Sequence, residues 1–114
     1  MFSLVDYRTG VVTPASVTQA AAGAGRKNVA KFISATVGRI SAAGSFRLNL
    51  RDGASGAGTI LQSWEIGVPN TGDSNSIVEG PFFIIGSANT AMTLEFTGNA
   101  AANIQSVGLV GIII

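Results

Sequence analysis

Apolar and polar residues alternate along this chain with a period of two. Phe46, Leu48 and Leu50 are interleaved with Arg47, Asn49 and Arg51, which on an extended strand turns one side into a core and the other to water. Ile60, Trp64, Ile66 and Val68 are predicted to share a second such face, with Gln62 among them and with Ser63 and Glu65 opposite. Met92, Leu94 and Phe96 alternate with Thr93, Glu95 and Thr97, and a last strand is predicted to begin at Ile104 and end in Ile112, Ile113 and Ile114. Val29 to Ile40 and Ile77 to Ile85 predict two further, less regular strands. Turn-forming clusters separate them at short spacing, at Ala42-Ala43-Gly44, Asp52 to Gly58, Pro69 to Asp73 and Gly98-Asn99.

No segment carries a sustained helical stripe. The one Ala-rich stretch, Ala15 to Ala24, has no apolar repeat at i, i+3, i+4 and runs into glycine, so any helix there is expected to be short. The pattern therefore predicts an all-β fold, a jelly-roll-like β-sandwich of about seven to eight antiparallel strands. Residues 1–25 break from the alternation: a strand-like start at Leu4 to Arg8 leads to Val11-Val12-Thr13-Pro14 and then to Ala20 through Gly25. They read equally as an extended arm with an Ala/Gly hinge or as a first strand plus a loop, with residues 26–114 forming the sandwich; Pro14 permits an edge strand but not a central one.

Length and composition narrow the class. The 114 residues suffice for one domain that buries roughly 60 to 70% of its unfolded surface. Only 11% of residues are charged against 46% hydrophobic, where soluble chains carry roughly 25% charged; a surface so built invites neighbours. All seven basic residues lie at or before Arg51 and five of the six acids at or after Asp52, so residues 1–51 carry +6 and residues 52–114 carry −5. In one domain the halves can neutralise each other across a sheet, and between copies they can meet head to tail. The start, MFSLVDYRTG, places Asp6 and Arg8 where a signal peptide needs an apolar core. The longest apolar runs, Pro81 to Ala88 and Val107 to Ile114, fall short of the ~20 residues of a membrane-crossing helix, and no membrane partner is expected.

With neither cysteine nor histidine, the chain lacks thiolate chemistry, the Ser-His triad and the commonest metal ligands, and no cofactor or metal is expected. Glu65 and Glu95 could serve as a glycosidase pair, but as single charges on alternating strands they are better explained by cross-strand pairing with Arg47 or Arg51. Gly56-Ala57-Gly58 and Gly23-Ala24-Gly25 lack phosphate-loop spacing and fit a hairpin loop and a hinge. Arg26, Lys27 and Lys31 form the densest basic cluster. Few aromatics accompany them and the second half is acidic, which favours an acidic protein surface over nucleic acid as their partner. Trp64 could stack on a sugar, though its alternation with Ile66 favours a core position.

Taken together, LNLRDGASGAGTILQSWEIGVP and GPFFIIGSANTAMTLEFTGNAAANIQSVGLVG resemble small structural proteins of tailed bacteriophages, especially capsid decoration or cement proteins, over approximately Phe46 to Gly111. The resemblance implies a non-enzymatic β-sandwich on the capsid exterior whose partners are the major capsid protein and other copies of itself, as a trimer before a dimer. It supplies no catalytic residue to carry over. Arg26, Lys27 and Lys31 are the residues expected to dock on a partner, and Ile112 and Ile114, in a C-terminal run too apolar to leave exposed, those expected to hold copies together. The alternative function is a carbohydrate-binding module of a phage tail or receptor-binding apparatus, with Trp64 at its site.

Overall fold

The structure, a computed structural model, describes residues 1–100 and 102–114. Among these it has nine strands and no helix: β1 Phe2–Thr9, β2 Ser16–Gln19, β3 Lys27–Gly38, β4 Gly44–Asp52, β5 Thr59–Val68, β6 Asn75–Glu79, β7 Ile84–Ala88, β8 Met92–Phe96 and β9 Ile104–Ile113. All pairings are antiparallel. The first sheet runs β1-β9-β3-β6, with β7 also on β3, and the second runs β2-β8-β4-β5. Side chains from both sheets share one buried apolar cluster, in which Ile33, Val37, Val107 and Leu109 of the first meet Val17, Leu48, Leu50, Ile66, Leu94 and Phe96 of the second. Burial of that cluster is the main force holding the sheets together.

The number of strands exceeds the expected seven or eight because the segment Ile77 to Ile85 is broken. β6 pairs with Ile33 to Val37 and β7 with Lys27 to Ala30, so the two lie end to end along one edge of the long β3. Residues 80–83 interrupt them, where Pro81 has no N–H to give a ladder and Phe82 turns inward, its amide donating to the Lys31 carbonyl at 3.0 Å. Ile60 corrects a second expectation. A bulge between Leu50 and Arg51 on the β4–β5 ladder puts Ile60 opposite Arg51, outside the core and 46% exposed, while Leu61 packs against the core instead.

Residues 1–25 do not form a separate arm. All eight residues of β1 pair with β9, β2 pairs with β8, and Ala15 and Val17 are buried in the core. Alternation in β1 sends Phe2 and Leu4 to the core; Phe2 lies over Gly111, where a Cβ would come within 2.4 Å of its ring. The two open sides of the core are closed by polar and aromatic bridges. On one, the Asp6 carboxylate of β1 accepts from the Ser16 amide of β2 at 3.0 Å and from Arg8 Nε at 2.8 Å. On the other, Trp64 of β5 stacks on Phe82, with ring centroids 6.2 Å apart.

At one end of the molecule three amide side chains join the loops. Gln105, fully buried, accepts from the Ala15 amide at 3.1 Å and donates to the Gly98 carbonyl at 2.7 Å. Asn103 accepts from the Ser41 amide at 3.0 Å, and Asn99 donates to the carbonyls of Val11 and Thr13 at 3.2 and 3.1 Å. Of the backbone groups they satisfy, the Ala15 amide is buried and would otherwise go unpaired.

Candidate assembly face

The outward sides of the two sheets differ in chemistry. On the second sheet, the ladder sets Arg47 opposite Glu65 and Asn49 between Ser63 and Glu95. Arg47 Nε lies 2.7 Å from Glu65 Oε1, and Ser45 donates to the same carboxylate at 2.8 Å. These two hydrogen bonds, Ser45 foremost, hold the Glu65 carboxyl below its ordinary range despite slight desolvation. Arg51 Nε donates to Glu95 Oε1 at 2.9 Å. The charge split along the chain thus becomes, in part, neutralisation across this sheet, as two of the three ion pairs among the described residues join a base of the first half to an acid of the second.

Glu95 departs from the sequence expectation of an exposed outward charge. It is 8% exposed because the β4–β5 loop, residues 53–58, folds over it. The Gly56 amide donates to Glu95 at 2.8 Å, Ser55 Oγ makes a short hydrogen bond to it, and Ser16 Oγ lies at 3.4 Å. Burial alone would raise the Glu95 pKa; the hydrogen bonds from Ser55, Gly56 and Arg51 outweigh it and hold the carboxyl below its usual value. The loop closes through Gly58, at φ +78°, where a Cβ would lie 2.1 Å from the Asp52 carbonyl oxygen. Asp52 itself accepts from the Ser87 amide at 2.9 Å and from Ser87 Oγ at 2.5 Å, linking β4 to β7.

The outward side of the first sheet has a different composition. Read across the strands, its rungs are Val5–Gly108–Ser34–Val78, Tyr7–Ser106–Thr36–Ser76, Ser3–Val110–Phe32 and Ile112–Val29–Ile85. None of these residues is charged. Val5 is 82% exposed, Val78 77% and Tyr7 60%, and Phe32 and Ile85 are exposed as well. The centre is low: at Gly108 a Cβ would lie 2.5 Å from Ser34 Oγ and 3.7 Å from the Val5 side chain. Cations border the face. Lys31, at the bulge where β3 changes register against β9, places its Nζ 5.1 Å from the Phe83 ring centroid.

The residues expected to bind partners fall in two places. Arg26 is exposed in the turn before β3, its amide donating to the Gly23 carbonyl at 3.0 Å; Lys27 opens β3 and exchanges backbone hydrogen bonds of 2.9 and 3.0 Å with Ile114. Arg26, Lys27 and the exposed Ile114 therefore gather at one end of the first sheet, while Lys31 and the half-buried Ile112 belong to its outward side. The sequence reading missed Val5, Tyr7, Phe32 and Val78. Their signal was present as apolar residues on the polar phase of alternating strands, but it becomes a face only when the ladder aligns them.

Other candidate sites are already engaged by the fold. Trp64 is half-buried against the core with Phe82 on its ring, so it offers no open platform for a sugar. A depression of about 340 Å³ beside Phe46, Ser45 and Thr97 is lined by groups with partners, since Arg47 pairs with Glu65 and Asn99 and Asn103 hold the loops. Among the described residues no three His, Cys, Asp or Glu side chains gather to hold a metal, and no helix is long and apolar enough to cross a membrane.

No protein-family model matches the chain. No curated protein matches it either. Among solved structures it is similar to a chain described by the words "Bacillus endospore appendages form a novel family of disulfide-linked pili", at 15% identity over 96% of this chain and 85% of that one, with a TM-score of 0.32. At that score the likeness carries no argument about this chain.

Proposed function

We propose that this chain is a jelly-roll β-sandwich acting as a non-enzymatic structural protein of a virion, a decoration or cement protein that binds the capsid lattice from outside and associates with copies of itself. The strand order is the observation that carries this reading. β1 pairs with β9, β2 with β8, β3 with β6 and β7, and β4 with β5, a nest of antiparallel pairs that one long hairpin makes when rolled into two sheets. Counting β6 and β7 as one interrupted strand gives the eight strands of a jelly roll, an architecture frequent among viral capsid proteins. The resemblance to phage decoration proteins over Phe46 to Gly111 points the same way.

A structural role agrees with what the carboxylates do. Glu95, Glu65, Asp52 and Asp6 each hold a loop, a strand or a neighbouring sheet by hydrogen bonds. The depressed pKa values of Glu95, Glu65 and Asp6 suit anchors, whereas a catalytic acid needs a raised one. On a capsid the protein would act mechanically, adding contact across subunit boundaries that is lost only when the subunits part. The test is an electron cryomicroscopy map of the parent particle. Density of this fold on the capsid lattice is expected; density confined to the tail moves the protein to the tail apparatus, and absence from the particle overturns the reading.

A further inference from the structure

The structure's uncharged outer face on the first sheet points to a specific partner: we propose that a second copy of this chain docks there, the two first sheets stacking face to face about a twofold axis. The inference rests on the structural-protein reading only for its setting. Its basis is the chemistry and size of the face.

The rungs run over Ser3 to Tyr7 of β1, Ser106 to Ile112 of β9 and Val29 to Thr36 of β3, with β6 and β7 end to end beyond; at ~3.3 Å per residue and about 4.8 Å between strands they span roughly 450 Å² of plane. The relief of Val5, Val78 and Phe32 adds accessible area to that. The plane alone is more than half of the ~800 Å² that each partner contributes to a stable pair, and is the size of the largest patches that soluble monomers leave uncovered, which are often functional.

The occupant follows from charge. A partner bringing charged side chains onto the middle of this face would strip them of water with no counter-charge to receive them, since none of its rung residues is charged and Lys27, Lys31 and Glu79 lie only at its borders. The outward side of the second sheet, with Arg47, Glu65 and Arg51, is disqualified on those grounds. The same face of another copy brings no such charge, and a twofold contact needs one self-complementary patch where a ring of three needs two different ones. Shape agrees with this, since sheets pack through interdigitating side chains and the low centre at Gly108 lies beside the proud valines at positions 5 and 78.

The deciding experiment is size exclusion with light scattering on the purified chain at about 20 µM, within reach of the weakest pairs an interface of this size forms. A mass of two 11.5 kDa chains is expected. Val5→Lys and, separately on the opposite edge strand, Val78→Lys should each bring the mass to one chain. Both side chains are largely in water within a single copy, so far-UV circular dichroism should stay unchanged; Gln62→Lys on the second sheet should leave the pair intact. A monomeric parent chain, a mass of three chains, or a pair surviving both substitutions overturns the proposal. The measurement contains no particle, so a dimer absent from the virion would sink only the capsid reading, and a monomer that decorates it would sink only the pairing.

Discussion

Replacing Glu95 probes the best-connected polar cluster in the molecule. Glu95→Ala removes the acceptor of Arg51 Nε, Gly56 N–H and Ser55 Oγ at once and leaves Arg51, whose side chain is 19% exposed, without its partner. Breaking a fully buried pair costs about 3–5 kcal/mol, whereas an exposed one is worth at most about 1. With the two side chains 19% and 10% exposed the pair sits nearer the buried limit, and about 3 kcal/mol is expected. Glu95→Gln keeps one acceptor oxygen and should cost about 2 kcal/mol.

In urea, with a slope of ~1.3 kcal/mol/M for a chain of this size, Glu95→Ala should lower the unfolding midpoint by roughly 2 M, followed by Trp64 fluorescence. The sign with pH follows from the depressed carboxyl. The bound carboxylate stabilises fully above the unfolded pKa of about 4.3, and that contribution is lost as pH falls through the lower folded value. The deficit of Glu95→Gln should therefore be largest near neutrality and shrink in acid below about pH 4. Amide exchange at Gly56 should quicken in both variants. A deficit under about 1 kcal/mol, or one that does not change from neutral to acid pH, would refute the idea that this carboxylate holds the 53–58 loop.

Other perturbations follow from the same structure. A chain beginning at Arg26 loses β1 and β2, strips one edge of β9 and removes Ala15 and Val17 from the core; it should show no cooperative melt by circular dichroism, and a melt within a few degrees of the intact chain would restore the arm. Trp64→Ala, which unstacks Phe82 and opens one side of the core, should destabilise by about 2–3 kcal/mol in urea unfolding followed by far-UV circular dichroism, below the 3–5 of a fully buried aromatic. An unchanged midpoint would mean that side is closed by something else.

The sequence showed strand positions more clearly than their alignment. Alternation at Phe46 to Arg51 and Met92 to Thr97 located β4 and β8 because each has one face on the core. It misplaced Ile60, since a bulge shifts phase without leaving any mark in hydropathy. It ran β6 into β7, because Pro81 and Gly80 sit inside an otherwise apolar stretch. It left β1 ambiguous, because the partner that buries Phe2 and Leu4 is β9, about a hundred residues away in the chain. That Glu65 and Glu95 pair across strands with Arg47 or Arg51 was legible from charge and strand phase, though which acid meets which base waited on the register. The loop that covers Glu95 was not, as it depends on where Ser55 and Gly56 come to rest in three dimensions.

The amides that tie the loops at one end have a consequence for the conditions the protein can meet. Asn99, Asn103 and Gln105 neither gain nor lose a proton in ordinary media, and their hydrogen bonds are not weakened by dissolved ions as exposed ion pairs are. The contour made by residues 10–15, 39–43 and 97–100 should thus persist from acid to brine, while the carboxylate-held corner on the second sheet responds to acidity. The end whose fastenings do not titrate is thus the part of the surface whose shape depends least on the medium.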